Sequence, residues 1–168
     1  VGALTGRARS DDEWNWAVEG LRAVAEHAEP TGVILAVEPL NRFETHVLNT
    51  AADATTLARE VDHPNLKVQI DTFHANIEEK DPIGVIAPNL ALINHVHVSE
   101  NDRGTPGKGH VPFAETFKAL KGGGYDGWLT IEAFGRALPG LAAATRVWRD
   151  FFPSREEVYT VGIQTIRR

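Results

Sequence analysis

Four polar residues stand where apolar, strand-like stretches of this sequence end, and their types point to metal chemistry. They are Glu38, Asp71, His97 and Glu132. Their separations of 33, 26 and 35 residues are each close to one strand-plus-helix unit, which takes ~31 residues in an eightfold barrel. Because the carboxyl ends of parallel barrel strands open onto one face, we expect the four side chains to converge.

Three carboxylates and one imidazole form an oxygen-rich donor set. Such a set suits an open divalent site for Mn²⁺, Co²⁺ or Mg²⁺ better than a closed structural zinc site. The chain has no cysteine, which excludes thiolate ligands and a thiolate nucleophile. Any one of the four residues could simply be a rim residue held by salt bridges. Carboxylates gathered at one point repel each other unless a cation neutralises them, however, so four in register favour a metal site.

Further polar residues follow the same strand ends, where this architecture places its substrate contacts. They are Asn41, Arg42, Glu44, His46, His74, Glu100, Asn101 and Arg103. So many hydrogen-bonding groups with few apolar ones indicate a polyhydroxylated ligand. For Arg42, His46 and Glu100 a local ion-pair network is an equally good explanation. His95 lies two residues before His97 and therefore on the same strand face but deeper; we interpret it as a hydrogen-bonded supporting residue rather than a ligand.

Strand and helix patterns alternate along the chain and must position these residues. A capping-box pattern at Ser10 and Glu13 opens the first helix, which Pro30 and Gly32 end. Apolar, β-rich runs predict strands at 33–37, 66–70, 92–98 and 128–131. Helical spacing predicts helices at 11–29, 51–61, 112–121, 141–151 and after 154, with a helix of under two turns after Asp81.

This alternation predicts an α/β fold with parallel strands and crossover helices, either a doubly wound sheet or a (β/α)8 TIM barrel. Four strands are too few for either in full. A half-barrel leaves two strand edges unpaired. We therefore expect residues 1–168 to be a single domain, the C-terminal half of a (β/α)8 barrel, and either a fragment of a longer chain or a half-barrel that must assemble as a homo-oligomer or through its edges. The missing initiator methionine hints at a fragment or a processed start.

The composition narrows the class of partner. With 42% hydrophobic and 24% charged residues, the chain is an ordinary globular one. Its net charge of -6 and scattered basic residues argue against binding to nucleic acid or to an anionic membrane. No apolar run approaches the ~20 residues of a membrane span, and no targeting segment is visible, so we expect a cytoplasmic protein.

Four stretches of the sequence together carry a specific resemblance. They are Val37–Thr45 (VEPLNRFET), Asp71–Glu79 (DTFHANIEE), His95–Arg103 (HVHVSENDR) and Pro106–His110 (PGKGH). The chain resembles the sugar isomerase/epimerase superfamily with the xylose-isomerase-like barrel, in particular the D-tagatose 3-epimerase group that includes D-psicose (D-allulose) 3-epimerases. The resemblance covers nearly the whole chain and weakens after about residue 152.

The resemblance implies roles for individual residues. Glu38, Asp71, His97 and Glu132 would be the metal ligands, with Glu38 and Glu132 also serving as the acid/base pair. Glu44, His74 and Arg103 would hold the sugar. The implied activity is metal-dependent 3-epimerisation of free ketohexoses or ketopentoses through a cis-enediolate. One glutamate would remove the carbon-3 proton and the other would deliver a proton to the opposite face, while Mn²⁺, Co²⁺ or Mg²⁺ stabilises the enediolate.

Three alternatives stay open. An aldose–ketose isomerase or a hydroxypyruvate isomerase of the same superfamily would use the same ligands. A zinc-dependent abasic-site endonuclease shares the barrel, but it has a richer set of histidines, and the acidic balance here argues against it. The third alternative is a non-catalytic half-barrel that binds sugar or serves only in assembly.

Overall fold

A computed structural model describes residues 6–167 as an α/β structure built on one parallel sheet. The strands are β1 (Leu35–Val37), β2 (Leu66–Asp71), β3 (Ile93–Val98) and β4 (Trp128–Ile131), and they pair in the order β1-β2-β3-β4. All three strand pairs are parallel. This is the strand order of consecutive βα units in a TIM-type barrel, so the predicted fold class is confirmed. In the described sheet, β1 and β4 each pair along one side only.

Within residues 6–167, seven α-helices accompany the strands. They are α1 (Asp11–Ala28), α2 (Ala51–Val61), α3 (Thr72–Glu78), α4 (Ile86–Asn89), α5 (Phe113–Gly122), α6 (Pro139–Thr145) and α7 (Arg155–Arg167). The capping box predicted at Ser10 is present, because its hydroxyl accepts from the Glu13 N–H and the Glu13 carboxylate accepts from the Ser10 N–H. Over residues 6–167, no helix is long and apolar enough to cross a membrane.

Several element boundaries differ from the sequence prediction, and three of these differences stand out. Strand β1 begins at Leu35 rather than Val33, since its partner β2 starts at Leu66 and pairs with Leu35. Helix α6 stops at Thr145 because Arg146 adopts a left-handed conformation with φ of 57°. The helix expected after Asp81 begins only at Ile86.

A whole helix was also missed. Residues 72–78 form α3 where the sequence pattern suggested a loop. The helix starts directly at the end of β2, because the Asp71 carboxylate accepts hydrogen bonds from the N–H groups of Phe73 and His74. The tight strand-to-helix junction places His74 beside the strand ends.

The core lies on the outer face of the sheet, between strands and helices. Val68 and Val96 are fully buried there, and Leu57, Val61 and Ile86 from α2 and α4 are at most 2% exposed. Since side chains alternate along a strand, the opposite face of the same strands presents polar residues. That inner face carries the candidate site.

A β-bulge in β3 decides which face its histidines occupy. Val68 pairs with Ile93, but the next residue, Gln69, pairs with His95, so Asn94 is an extra residue. Ile93 packs in the core, and strict alternation would send His95 and His97 to that same face. The bulge reverses the alternation and brings His97 opposite Asp71 on the inner face.

Candidate active site

The four predicted metal-binding residues all lie at the carboxyl ends of the strands. Glu38 directly follows β1, Asp71 is the last residue of β2, His97 is the penultimate residue of β3, and Glu132 directly follows β4. The Glu132 N–H donates to the Val98 carbonyl at 3.1 Å, which continues the ladder past the end of β4. All four residues therefore lie at the same end of the sheet, where the carboxyl ends of the strands meet.

These side chains converge on His97. Its Nδ1 lies 3.2 Å from Glu132 Oε1, 3.4 Å from Asp71 Oδ2 and 3.6 Å from Glu38 Oε1. Ligand atoms of Glu38, Asp71 and His97 lie within 4.8 Å of one another. Ligands on opposite sides of a Mg²⁺-sized ion are about 4.2 Å apart, so little movement is needed for these atoms to share one ion.

The burial of Asp71 gives an independent test of whether a cation fits. The residue is 1% exposed, and its Oδ1 accepts from two backbone N–H groups of α3. Its Oδ2 is buried and accepts no hydrogen bond from residues 6–167. A buried carboxylate oxygen without a hydrogen-bond donor is costly unless a positive charge faces it, and the cationic group nearest to Oδ2 among the described residues is His97, whose Nδ1 lies 3.4 Å away. The residues present therefore fit a divalent cation.

Electrostatics within this group is dominated by negative charge. Burial by itself would lower the pKa of His97, but the carboxylates of Asp71, Glu132 and Glu38 outweigh it and raise the pKa to about 11. Burial raises the pKa of Asp71. For Glu132, burial opposes ionisation, yet the contact with His97 holds its pKa below the usual value. A proton on His97 thus supplies the positive charge near these carboxylates that a bound metal ion would supply.

The three residues predicted to hold a sugar form a second group. Arg103 Nη1 donates to Glu44 Oε1 at 2.9 Å, and Arg103 Nη2 lies 3.0 Å from His74 Nε2. The guanidinium is sandwiched between Phe73 and Phe134, at 4.1 and 4.9 Å from their ring centroids. This second group is joined directly to the four predicted metal-binding residues, because the backbone N–H of His74 donates to Asp71 Oδ1.

Local ion pairs account for two of the three residues for which that alternative was open. Arg42 forms a two-armed pair with Glu78, at 3.0 and 3.1 Å, and His46 Nε2 lies 3.1 Å from Glu13. Neither pair shares a hydrogen bond with Glu44, His74 or Arg103.

The third, Glu100, is 1% exposed and organises the following loop through backbone hydrogen bonds. Its Oε1 accepts from the N–H groups of Asn101 and Val111 at 3.1 and 2.9 Å, and its Oε2 accepts from Gly107 at 2.8 Å. The carboxylate thus holds the glycine-rich stretch 104–110 from inside.

His95 agrees with its interpretation as a supporting residue. Its Nε2 lies 2.9 Å from Thr130 Oγ1, and its ring packs edge-on against His97 with centroids 5.3 Å apart. Burial, followed by the neighbouring His97, lowers its pKa.

Sequence reasoning placed Asn41 only among the loop polar residues, yet it connects the second group. It is 2% exposed, and its Nδ2 lies 3.1 Å from Glu44 Oε1 and 2.9 Å from His74 Nδ1. Its place three residues before Glu44, in a loop that follows a strand, was the available signal.

An open cavity of about 440 Å³ lies against this second group, lined by Glu44 and Arg103 together with Phe43 and Arg146. A larger one of about 750 Å³ lies between the end of β4 and α7 and contains none of the predicted site residues. Of these two cavities, the smaller is the one lined by predicted sugar-binding residues, namely Glu44 and Arg103.

Comparison with known proteins places this geometry in a family. The Xylose isomerase-like TIM barrel family matches residues 1–164. A D-psicose 3-epimerase of Ruminiclostridium cellulolyticum is 39% identical over 145 residues, which cover 86% of this chain and 50% of that protein. A probable ketose 3-epimerase of Synechocystis sp. is 39% identical over 168 residues, covering 100% of this chain and 58% of that protein.

A solved structure agrees. The chain is similar to a D-allulose 3-epimerase from Methylomonas sp. in complex with D-allulose, with a TM-score of 0.93 and 29% identity over 99% of this chain and 58% of that one. The chain thus spans about half the length of the curated relatives it matches.

Proposed function

Because the chain belongs to the Xylose isomerase-like TIM barrel family, we propose that it carries the catalytic half of a divalent-metal-dependent ketose 3-epimerase. The single observation that carries this proposal is the convergence of Glu38, Asp71 and Glu132 on His97 Nδ1 at the carboxyl edge of the sheet, within 3.6 Å. The similarity to 3-epimerases of D-psicose and other ketoses supports the reaction type.

Glu38, Asp71, His97 and Glu132 would hold the metal ion, which we assign as Mn²⁺ or Co²⁺, with Mg²⁺ as the alternative. A bound divalent ion supplies the positive charge that makes a proton next to a ketone acidic. Imidazole must be neutral to act as a ligand. His97 therefore gives up its proton when the ion binds.

Two carboxylates are needed to invert the configuration at a carbon beside a ketone. One must take the proton from carbon 3, and the other must return a proton to the opposite face of the resulting cis-enediolate. Glu38 and Glu132 follow the two outermost strands of the sheet, β1 and β4, and reach His97 from both sides. We assign them as this acid/base pair.

Glu44, His74 and Arg103 are assigned to the sugar hydroxyls and carbonyl. The Arg103 guanidinium is fixed by Glu44 and by two aromatic rings before any ligand arrives. Preorganised donors lose little freedom on binding, which favours a defined sugar orientation.

The four strands are proposed to form the C-terminal half of a (β/α)8 barrel. The inner face of the sheet supports this, because Trp128 is 74% exposed on the strand face that carries Thr130 and Glu132. The outer edges of β1 and β4, which have no partner strand in the described sheet, would be covered by the remaining barrel strands, or by a second copy of the chain. Size-exclusion chromatography tests this for residues 1–168: a stable, fully folded monomer would contradict it.

The proposed function is tested by product analysis. Protein that contains the complete barrel is loaded with Mn²⁺ or Co²⁺. It is then incubated with D-fructose, D-tagatose and D-ribulose, with and without chelator. Carbon-3 epimers that disappear with chelator are the expected products. Aldoses would instead identify an aldose–ketose isomerase, and sugar binding without turnover would identify a non-catalytic domain.

A further inference from the structure

Asn41 is buried against His74 and Glu44, yet the proposed reaction gives it no role. We propose that Asn41 is a positioning residue that holds His74 in the tautomer with its proton on Nε2, so that His74 presents a hydrogen-bond donor to the ligand. The inference rests on the proposed function in one respect, namely that His74 contacts a sugar.

The orientation of the Asn41 amide is fixed by a backbone group. The Phe43 N–H, which can only donate, lies 2.9 Å from Asn41 Oδ1. The carbonyl end of the amide must therefore face Phe43. The NH₂ end then faces Glu44 Oε1 at 3.1 Å and His74 Nδ1 at 2.9 Å, and it supplies one N–H to each.

A second donor reaches the same nitrogen of His74. The Asn41 backbone N–H donates to Nδ1 at 3.0 Å. Nδ1 thus faces two donors, whereas Nε2 faces one, Arg103 Nη2 at 3.0 Å. More hydrogen bonds are kept when the lone pair is on Nδ1. A neutral imidazole has one proton, so this proton lies on Nε2.

The donor groups of Asn41 are held rigidly. Its carbonyl accepts from the N–H groups of Glu44 and Thr45, at 3.0 and 3.1 Å. Every polar group of Asn41 is thus engaged within the loop or with His74. The tautomer of His74 is consequently set before a ligand binds.

This arrangement leaves two donors facing each other. The Nε2–H of His74 lies 3.0 Å from Arg103 Nη2, and a guanidinium has no acceptor. An oxygen placed beside both would accept from both, which favours a ligand carbonyl or hydroxyl oxygen at this position. Since Nε2 already carries a proton, it cannot remove one from the sugar, and proton removal is left to the carboxylates.

The tautomer can be measured without any turnover. Full-length protein with ¹⁵N-labelled histidine, loaded with Mg²⁺, is studied by long-range ¹H–¹⁵N correlation at about pH 8, above the ordinary histidine pKa of ~6.5. His74→Gln identifies the His74 signals. The expected spectrum shows a protonated Nε2 and an unprotonated Nδ1. A proton on Nδ1 in the parent protein would by itself overturn the proposal.

Two matched variants distinguish the effect of the Asn41 side-chain amide from a general effect of disturbing its loop. Asn41→Asp replaces the NH₂ donor by an acceptor, and it should move the His74 proton toward Nδ1 and raise the Kd for D-fructose at least tenfold. Asn49→Asp is the control, because Asn49 braces the same loop through the Leu40 and Thr45 carbonyls without touching His74. It should leave the tautomer unchanged.

The outcomes are distinct from those of the activity assay. An unchanged tautomer in Asn41→Asp, or an equal shift in Asn49→Asp, would show that the Asn41 side chain does not set it. A parent protein with the Nε2 proton but without epimerase activity would refute the proposed function and leave the positioning role standing.

Discussion

The Asp71 carboxylate accepts a hydrogen bond from the backbone N–H of His74 at 3.1 Å through Oδ1, while its Oδ2 lies 3.4 Å from His97 Nδ1. One side chain thus caps helix α3 with one oxygen and is proposed to bind metal with the other. The proposed metal ligand and the proposed sugar contact are therefore part of one rigid strand-to-helix junction.

This double role predicts different results for two substitutions. Asp71→Asn keeps a capping oxygen but removes the charge, so metal affinity should fall at least 100-fold while the cap of α3 is retained, since Asn and Asp cap equally well. Asp71→Ala should lose the affinity and also about 1 kcal/mol of stability. Isothermal titration calorimetry and urea unfolding measure the two effects; equal stability of both variants would argue against the capping role.

Replacing either proposed acid/base residue should stop epimerisation. Glu38→Gln and Glu132→Gln should each lower kcat at least 1000-fold at saturating metal, because the amide can neither take nor return the proton. Metal content of each variant must be measured alongside, since both residues are also assigned as ligands. Glu78→Gln, whose carboxylate pairs with Arg42, is the control. Substantial turnover by either variant would remove that residue from its assigned role.

Metal affinity should depend on pH through His97. Its pKa of about 11 means that the metal-free site keeps this proton throughout the neutral range, and the ion must displace it. The apparent affinity should therefore rise about tenfold per pH unit between roughly pH 6 and 8. Calorimetry in buffers of different ionisation enthalpy should detect about one proton released per ion. A pH-independent affinity without proton release would show that His97 is not displaced from its protonated form.

Arg103→Lys should weaken ketose binding. Lysine cannot reproduce the guanidinium contact with Glu44 or stack between Phe73 and Phe134, so the Kd should rise at least tenfold, or about 1.4 kcal/mol. Arg42→Lys, which changes the pair with Glu78 and none of the contacts of Arg103, should leave the Kd unchanged. Similar affinities of the two variants would mean that the sugar does not use Arg103.

Glu100→Gln should loosen the loop over residues 104–110. The amide NH₂ cannot accept the N–H of Gly107, which is left facing a donor, at a cost of about 2 kcal/mol. Hydrogen exchange should accelerate at Gly107 and Val111 while β2 stays protected. Glu26→Gln, at an exposed position of α1, is the control. Equal stability of the Glu100→Gln and Glu26→Gln variants would mean that the buried charge of Glu100 is not needed.

Much of the fold followed from local pattern. The capping box at Ser10 and the apolar run at Leu66 lie where local sequence dictates them, because caps and hydrophobic periodicity act over a few residues. The spacing of Glu38, Asp71, His97 and Glu132 was enough to predict convergence, since parallel strands all end at one edge.

The sequence could not determine the direction in which His97 points, because that depends on the extra residue Asn94 in its pairing with β2. It also could not show that Asp71 starts a helix, or that the amide of Asn41, in the loop after β1, faces His74 in α3. The direction of His97 depends on strand register, and the Asn41 contact joins residues 33 positions apart. Residue types and spacing set the chemistry available to this protein, and only the packing of the strands decided which atoms meet.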